Sequence, residues 1–403
     1  MTIRVVRPGE LSASDVAIAT PHADKSADGR IVVQAWLASR GLIALVALAL
    51  AVRDNRRLSE MVSNWDVRHF ESLAQHGYLG EPSGTSMAFF PGLPAVLSFG
   101  LSLGIPIALT GVVISLAGSA VAAAALLRLG GPWAAVAWLF APTAVFTSVP
   151  YTESLFCAAA FWAWERARAD RWWAAAALTA VACTLRVSGL FLVGALLVMI
   201  ITSRAGGRDK ITRSARMLLP LGVMAVFAGY LYLLTGTWTA WYSAQKTGWV
   251  RELTWPWQSF LNTIPAIVPG AYADHPWWAA VFRGEMVSMA VGIAVVIWCL
   301  SRSATKGKES AGAHGQPVPL WGEASWVGVQ VLAFSLSYWF FSVNRATLLW
   351  FPLWMLLGRW VAWRPRADAT RVAHRVLVGV AFGAEIVLML WWSWLFFTGH
   401  WAS

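Results

Sequence analysis

The sequence predicts an all-α polytopic membrane protein with about 10–13 transmembrane helices. Three observations carry this reading. Only 13% of its 403 residues are charged and 58% are hydrophobic, whereas soluble domains carry roughly 25% charged residues. With a mean hydropathy of +0.58, most of the chain cannot face water. Apolar runs return again and again after short polar loops, as repeated membrane crossings require. The formal charge of +11 is gathered as Lys and Arg in those loops. That is the positive-inside pattern, which makes anionic lipid, and not nucleic acid, the expected neighbour.

In chain order, residues 1–33 are polar and read as a disordered cytoplasmic tail. The first span is placed at 34–52. A polar stretch of about thirty residues precedes it with no small-residue cleavage site, so it reads as a retained anchor. Arg53, Arg56 and Arg57 behind it argue for an outer amino end; the later loops argue the reverse. Residues 53–87 form a polar interval. Within it, WDVRHFESLAQHGY puts Phe70, Leu73 and Ala74 at i, i+3, i+4, a short amphipathic helix on the bilayer surface stopped at Gly77. Segment 88–105 is apolar but holds Pro91, Pro94 and several Gly, so a short span and a re-entrant hairpin both fit. Further spans are placed at 106–127, 133–148, 154–164, 172–184, 187–202, 218–235, 286–300, 324–341, 348–361 and 376–397.

Four basic loops fix the expected orientation: Arg166, Arg168 and Arg171; Arg204, Arg208, Lys210, Arg213 and Arg216; Arg302, Lys306 and Lys308; and Arg364, Arg366, Arg371 and Arg375. Counting from them puts Asp66, Glu153, Arg186 and Arg345 on the outer face. The chain divides into the tail (1–33), an N-terminal transmembrane module (34–235) with an outer loop at 53–87, a Trp-rich outer loop (236–285) and C-terminal helices (286–403). No internal repeat of the kind found in many transporters is visible. Cys157, Cys183 and Cys299 are scattered in apolar runs, which argues against a disulfide framework or a metal site.

Four polar groups reach the expected outer face. Asp66, flanked by Trp65 and Arg68, has His69 at i+3 on the same helical side, where it could orient or tune the carboxylate. An N-cap is the alternative role for Asp66. In PYTES, Glu153 stands at the mouth of an apolar run, where an unpaired carboxylate is costly; it could cap a helix or contact a ligand. Arg186 in LRVSG could hold a phosphate or reach lipid headgroups. Arg345 in SVNRATLLWFP has the same two readings, with Asn344 beside it as an added donor. The loop TGTWTAWYSAQKTGWVRELTWPWQ surrounds Gln245, Lys246 and Arg251 with five of the 27 tryptophans. Most would serve an aromatic belt, and one or two could pack on a sugar ring. Glu385, inside the last span, has no evident partner.

No P-loop, Rossmann glycine fingerprint, HExxH or Cys/His pair is present, so nucleotide or metal chemistry has no motif behind it. Glycoside hydrolysis wants two opposed carboxylates. Transfer of a sugar from a lipid phosphate needs one base on the acceptor hydroxyl and cations on the departing phosphate. Asp66 with the outer arginines meets that shorter requirement.

The motifs WDVRHFESLAQHGY and MAFFPGLPAVL, followed by PYTESLF, LRVSGLF, the AQ…W.R loop and NRATLLWFPL, resemble the PIG-V-type mannosyltransferases, the second mannosyltransferases of GPI-anchor assembly, and their bacterial relatives. The resemblance implies a GT-C glycosyltransferase fold in a bacterial plasma membrane, with its active site on the extracytoplasmic face. It also implies an inverting α-mannosyltransferase that takes polyprenyl-phosphate-mannose as donor substrate; no cofactor is expected, and no ligand cluster in the sequence suggests a metal. On this chain Asp66 would be the base with His69 beside it, and Trp65, Arg68, Glu153, Arg186, Gln245, Lys246, Asn344 and Arg345 would bind substrate. Val187-Ser188 departs from the Ser-Asn often found after the motif arginine. The expected acceptor is a phosphatidylinositol mannoside or a related envelope glycolipid. A lipid-linked-sugar flippase, or a GT-C enzyme using another polyprenyl-phosphate sugar, is the alternative.

Overall fold

The computed structural model describes residues 25–80, 84–305 and 320–402. Most of the expected tail, together with Lys306 and Lys308 of the third basic loop, lies outside the described residues. The described chain is helical, with no strand among its described residues. Its first half comprises α1 (Lys25–Asp54), α2 (Leu58–Val62), α3 (Asp66–His76), α4 (Gly92–Ser102), α5 (Ile107–Gly130), α6 (Pro132–Leu139), α7 (Glu153–Arg168), α8 (Trp172–Cys183) and α9 (Ser188–Thr202). The second half comprises α10 (Gly207–Arg216), α11 (Leu218–Thr235), α12 (Ala240–Trp249), α13 (Pro256–Ile267), α14 (Pro276–Thr305), α15 (Trp321–Ser335), α16 (Val343–Ala346), α17 (Phe351–Ala362) and α18 (Asp368–Phe397).

Among the described residues, five helices are long and apolar enough to cross a membrane: Ser26–Asp54, Ile107–Gly130, Gly207–Thr235, Pro276–Ala304 and Asp368–Phe397. The chain is an integral membrane protein. Other segments expected as spans are shorter helices. α4 has 11 residues, about 17 Å at 1.5 Å per residue, too short for a hydrocarbon core of about 30 Å. The expected 133–148 span is broken: Pro132 starts α6 at its first turn, the helix ends at Leu139, and a 3-10 turn follows at Ala144–Thr147. The second basic cluster is not a loop, because Arg208, Arg213 and Arg216 lie on α10, which runs almost directly into α11. The Trp-rich segment is also largely helical, as α12, α13 and the start of α14. Helix α1 begins at Lys25, ahead of the expected residue 34.

The break after α6 would leave carbonyls unsatisfied in an apolar bundle, a cost of several kcal/mol per group in lipid. Arg40, buried on α1, meets that need. It donates to the Leu139 and Ala144 carbonyls at 3.2 Å each and to the hydroxyls of Thr147 and Ser148 at 2.5 and 2.7 Å. A cation at the carboxyl end of a half-helix is also favoured by the helix dipole.

Helices α5 and α7 approach closely along a stripe of small residues on α5: Gly111, Ser115, Gly118, Ser119 and Ala122 are all buried. A Cβ on Gly118 would lie 3.1 Å from the Ser154 backbone carbon. Small residues allow this backbone approach, and dispersion then replaces the hydrophobic drive that lipid cannot supply. The same packing delivers the amino end of α7, with Glu153, into the site.

Candidate active site

α3 forms as its periodicity dictates. Val67, Phe70, Leu73 and Ala74 are buried on one face, and Gly77 at φ +69° ends the helix. Its N-cap is Trp65, not Asp66, and no side chain caps the end. Trp65 is held at φ +56°, an uncommon conformation for a bulky residue, with its indole NH donating to the His400 carbonyl at 3.1 Å. The Asp66 amide donates to the Tyr151 hydroxyl at 3.2 Å. This leaves the Asp66 carboxylate outside capping duty: Oδ2 accepts from Arg345 Nη1 at 2.8 Å.

From Asp66 an ion-pair chain runs inward through residues far apart in sequence. Arg345 Nε lies 3.0 Å from Glu153 Oε1, and Arg186 Nη1 donates to that oxygen at 2.5 Å and to Thr152 Oγ1 at 3.0 Å. Glu153 stands at the start of the apolar helix α7, where it is fully buried and makes no side-chain cap. Its charge is compensated by two guanidinium groups, which is what its burial demands. The Arg345 guanidinium lies over the rings of Tyr151 and Phe146, at 5.2 and 5.5 Å. Burial pulls its pKa down, but the Glu153 and Asp66 carboxylates outweigh this and hold it above the ordinary value. Burial, then the Asp66 charge, pushes the Tyr151 phenol up. Arg345 is therefore a fixed cation.

Two residues absent from the expected site complete it. Glu285, fully buried on α14, accepts from the backbone amides of Ser342, Val343 and Asn344 at 3.1, 2.6 and 2.9 Å. It thereby holds the amino end of α16, whose single turn presents Arg345 and which has no other side-chain cap. Arg251 follows the end of α12, where Val250 at φ +52° turns the chain back. Burial first, then the neighbouring charges of Arg345 and Arg186, push the Arg251 guanidinium down to about 10.

Two cavities meet at Asp66. The larger, 690 Å³, is lined by Asp66, Trp65, Arg68, His69, Arg345 and several aromatic residues including Trp249, Trp278 and Trp339. The smaller, 130 Å³, is lined by Asp66, Arg186, Arg251, Arg345, Gln245, Trp241 and Trp249. Three guanidinium groups thus face one carboxylate in a small space. Gln245 Nε2 and Trp241 Nε1 donate to the Ala88 carbonyl at 3.3 and 3.2 Å, tying α12 to the MAFFPG segment. Gly92 of that segment donates to the Thr184 carbonyl at 2.7 Å, two residues before Arg186. A Cβ at Gly92 would sit 2.7 Å from that same oxygen.

The structure also separates residues that the sequence grouped. The His69 ring stacks on Phe89 at 5.0 Å and meets Trp249 edge-on at 5.7 Å, forming cavity wall beside Asp66. Arg68 Nε donates to the Ser63 carbonyl at 3.2 Å. Lys246 is exposed and paired with Glu252 at 2.8 Å, and lines neither cavity. Asn344, on α16, is buried, donating to the Val281 carbonyl at 3.0 Å and accepting from Ser288 at 2.9 Å.

No protein-family model matches the chain. A crystal structure of ArnT from Cupriavidus metallidurans bound to undecaprenyl phosphate is similar with a TM-score of 0.49 and 15% identity, over 93% of this chain and 76% of that chain. GPI alpha-1,6-mannosyltransferase 2 of Mus musculus is 34% identical over 155 residues, and that of Homo sapiens is 34% identical over the same length. In each case the match covers 34% of this chain and 31% of the relative, so it spans under a third of the relatives' length. Within that segment the chain is similar to GPI alpha-1,6-mannosyltransferase 2, the PIG-V type that its motifs resemble.

Proposed function

We propose that this protein is a membrane glycosyltransferase of the GT-C class that moves mannose from polyprenyl-phosphate-mannose to a lipid-linked acceptor, with Asp66 as the base. One observation carries the reading: a single carboxylate, Asp66, is shared by a roomy aromatic cavity and a small cavity carrying Arg186, Arg251 and Arg345. The arginine cavity suits the donor phosphate, for which guanidinium groups supply charge-assisted hydrogen bonds. The larger cavity suits the sugar and the acceptor glycan, whose rings can pack on Trp249, Trp278 and Trp339. The similarity to GPI alpha-1,6-mannosyltransferase 2 supports mannose as the sugar.

In the proposed step the Asp66 carboxylate takes the proton of an acceptor hydroxyl. The oxygen attacks the anomeric carbon of the β-linked mannose, and the bond from that carbon to the phosphate oxygen breaks. The bonding pair leaves on polyprenyl phosphate, which needs cations and no proton. A single displacement inverts the centre and gives an α-mannoside. Arg345 has a second duty, holding the Asp66 carboxylate by the 2.8 Å contact so that its orientation is set before substrate arrives. The basic loops support placing this end of the bundle on the extracytoplasmic face of a bacterial plasma membrane. A phosphatidylinositol mannoside or related envelope glycolipid is the proposed acceptor.

The test is incubation of the purified protein with radiolabelled polyprenyl-phosphate-mannose and a phosphatidylinositol mannoside. A labelled α-mannoside that survives the mild acid that cleaves the glycosyl phosphate of the donor is expected. Movement of intact donor between leaflets with no covalent product would instead identify a flippase.

A further inference from the structure

A third cavity, of 880 Å³, lies at the opposite end of the bundle and has no part in the proposed transfer. Helix α7 shows the separation directly. It starts at Glu153 in the site and ends at Arg168 on this cavity, the last of its 16 residues, about 22 Å away at 1.5 Å per residue. Helices α14 and α17 contribute Arg302 and Arg359 near their carboxyl ends. Tryptophans 172, 298, 360 and 363 line the rest, with Met199, Leu320 and Leu356 between them.

We propose that this cavity binds the phosphate headgroup of an anionic membrane phospholipid, held between Arg302 and Arg359. The charges motivate it. Of the four arginines lining the cavity, Arg168 pairs with Glu323, and Arg213 pairs with Asp170 at 2.9 Å. Arg302 and Arg359 have no carboxylate partner among the described residues. Both guanidinium groups nevertheless sit over one indole, that of Trp298, at 5.9 and 5.8 Å. Two like charges drawn to one ring repel each other, and an anion between them turns that repulsion into two charge-assisted contacts. The walls select the source of the phosphate. Indole and aliphatic surface at the end of a transmembrane bundle suits the glycerol and upper acyl region of a lipid, and basic pockets between spans take such headgroups. A free phosphate ion would leave that apolar surface unused.

The test titrates the detergent-solubilised full chain with dihexanoyl-phosphatidylglycerol, dihexanoyl-phosphatidylcholine or inorganic phosphate, read by native mass spectrometry and thermal unfolding. Phosphatidylglycerol is expected to bind about tenfold more tightly than either control, and the double variant R302Q/R359Q to lose about tenfold. That variant should unfold at the wild-type temperature without lipid, and R208Q, on exposed α10, should bind as wild type. If the double variant fails to fold, R302Q and R359Q singly should each weaken binding about threefold. Equal binding of phosphatidylcholine, or wild-type binding by these variants, would overturn the proposal. Inorganic phosphate matching phosphatidylglycerol would overturn the lipid assignment and leave an ion site.

Discussion

Glu285 makes the sharpest stability prediction, because it acts through backbone it holds and not through substrate. Its carboxylate accepts three amide donors at 3.1, 2.6 and 2.9 Å with no exposure to solvent. Hydrogen bonds to a charged group contribute about 1.5–3 kcal/mol each, and a buried donor left without a partner costs about 1–3 kcal/mol. Glu285→Ala orphans all three, so a loss on the order of 4–6 kcal/mol is expected, a large part of a typical total of about 5–15. Glu285→Gln keeps one carbonyl oxygen, able to take the two bonds now made by Oε2. It loses the Ser342 bond and the charge, for about 2 kcal/mol.

Because α16 is one turn long and presents Arg345, the Gln variant should also lower transfer by about tenfold. The assay pairs thermal unfolding in detergent with the labelled transfer reaction. If the effect runs through Arg345, adding Glu285→Gln to Arg345→Ala should cost transfer nothing further, since the two share one consequence. Wild-type stability and turnover in Glu285→Gln, or full additivity with Arg345→Ala, would refute the reasoning.

Other expectations follow from the same geometry. Arg40→Leu should cost about 3–5 kcal/mol, because four oxygens inside the bundle each lose a guanidinium donor, and of the two carbonyls only that of Ala144 keeps a side-chain donor, Thr147; thermal unfolding and folded yield read it, with Arg40→Lys intermediate. Gly92→Ala should cost about 1–3 kcal/mol and lower transfer, since the new methyl must push the Thr184 carbonyl away and Arg186 with it. Arg251, pushed down to about 10, stays charged at neutral pH and loses its proton as pH rises through that value. Affinity for a soluble polyprenyl-phosphate analogue should therefore be level below about pH 9 and fall above it, and Arg251→Gln should remove the step. For stability the sign is opposite. A folded value below the ordinary 12.5 means that charge is a cost in the native state, a cost relieved above pH 10.

Much of this was legible in the chain because charge is scarce in it. Asp66, Glu153, Arg186 and Arg345 stand out against apolar surroundings, and burial leaves such groups little choice but one another. The pairing itself was not legible: Arg345 lies 279 positions from Asp66, and no local period links them. Periodicity placed α3 and its stop at Gly77 correctly, yet read Asp66 as a candidate cap, because spacing does not report where a carboxylate turns. Glu285 was missed because, next to a span expected from 286, it resembled any charge at a helix boundary. Lys246 and Asn344 line neither cavity, for a reason spacing does not report: one finds Glu252 and the other Val281 and Ser288. Hydropathy could not separate the broken 133–148 segment from a span, since Arg40, which permits the break, lies on another helix.

The central claim is that the Asp66 carboxylate removes the acceptor proton. Asp66→Asn keeps the side chain's size and an oxygen for Arg345 while abolishing its basicity, so it is the most direct test. With purified protein, labelled polyprenyl-phosphate-mannose and lipid acceptor, the variant should bind donor and unfold close to wild type. Its turnover should fall by at least about a thousandfold. Turnover above about a tenth of wild type in a folded, donor-binding variant would contradict the account.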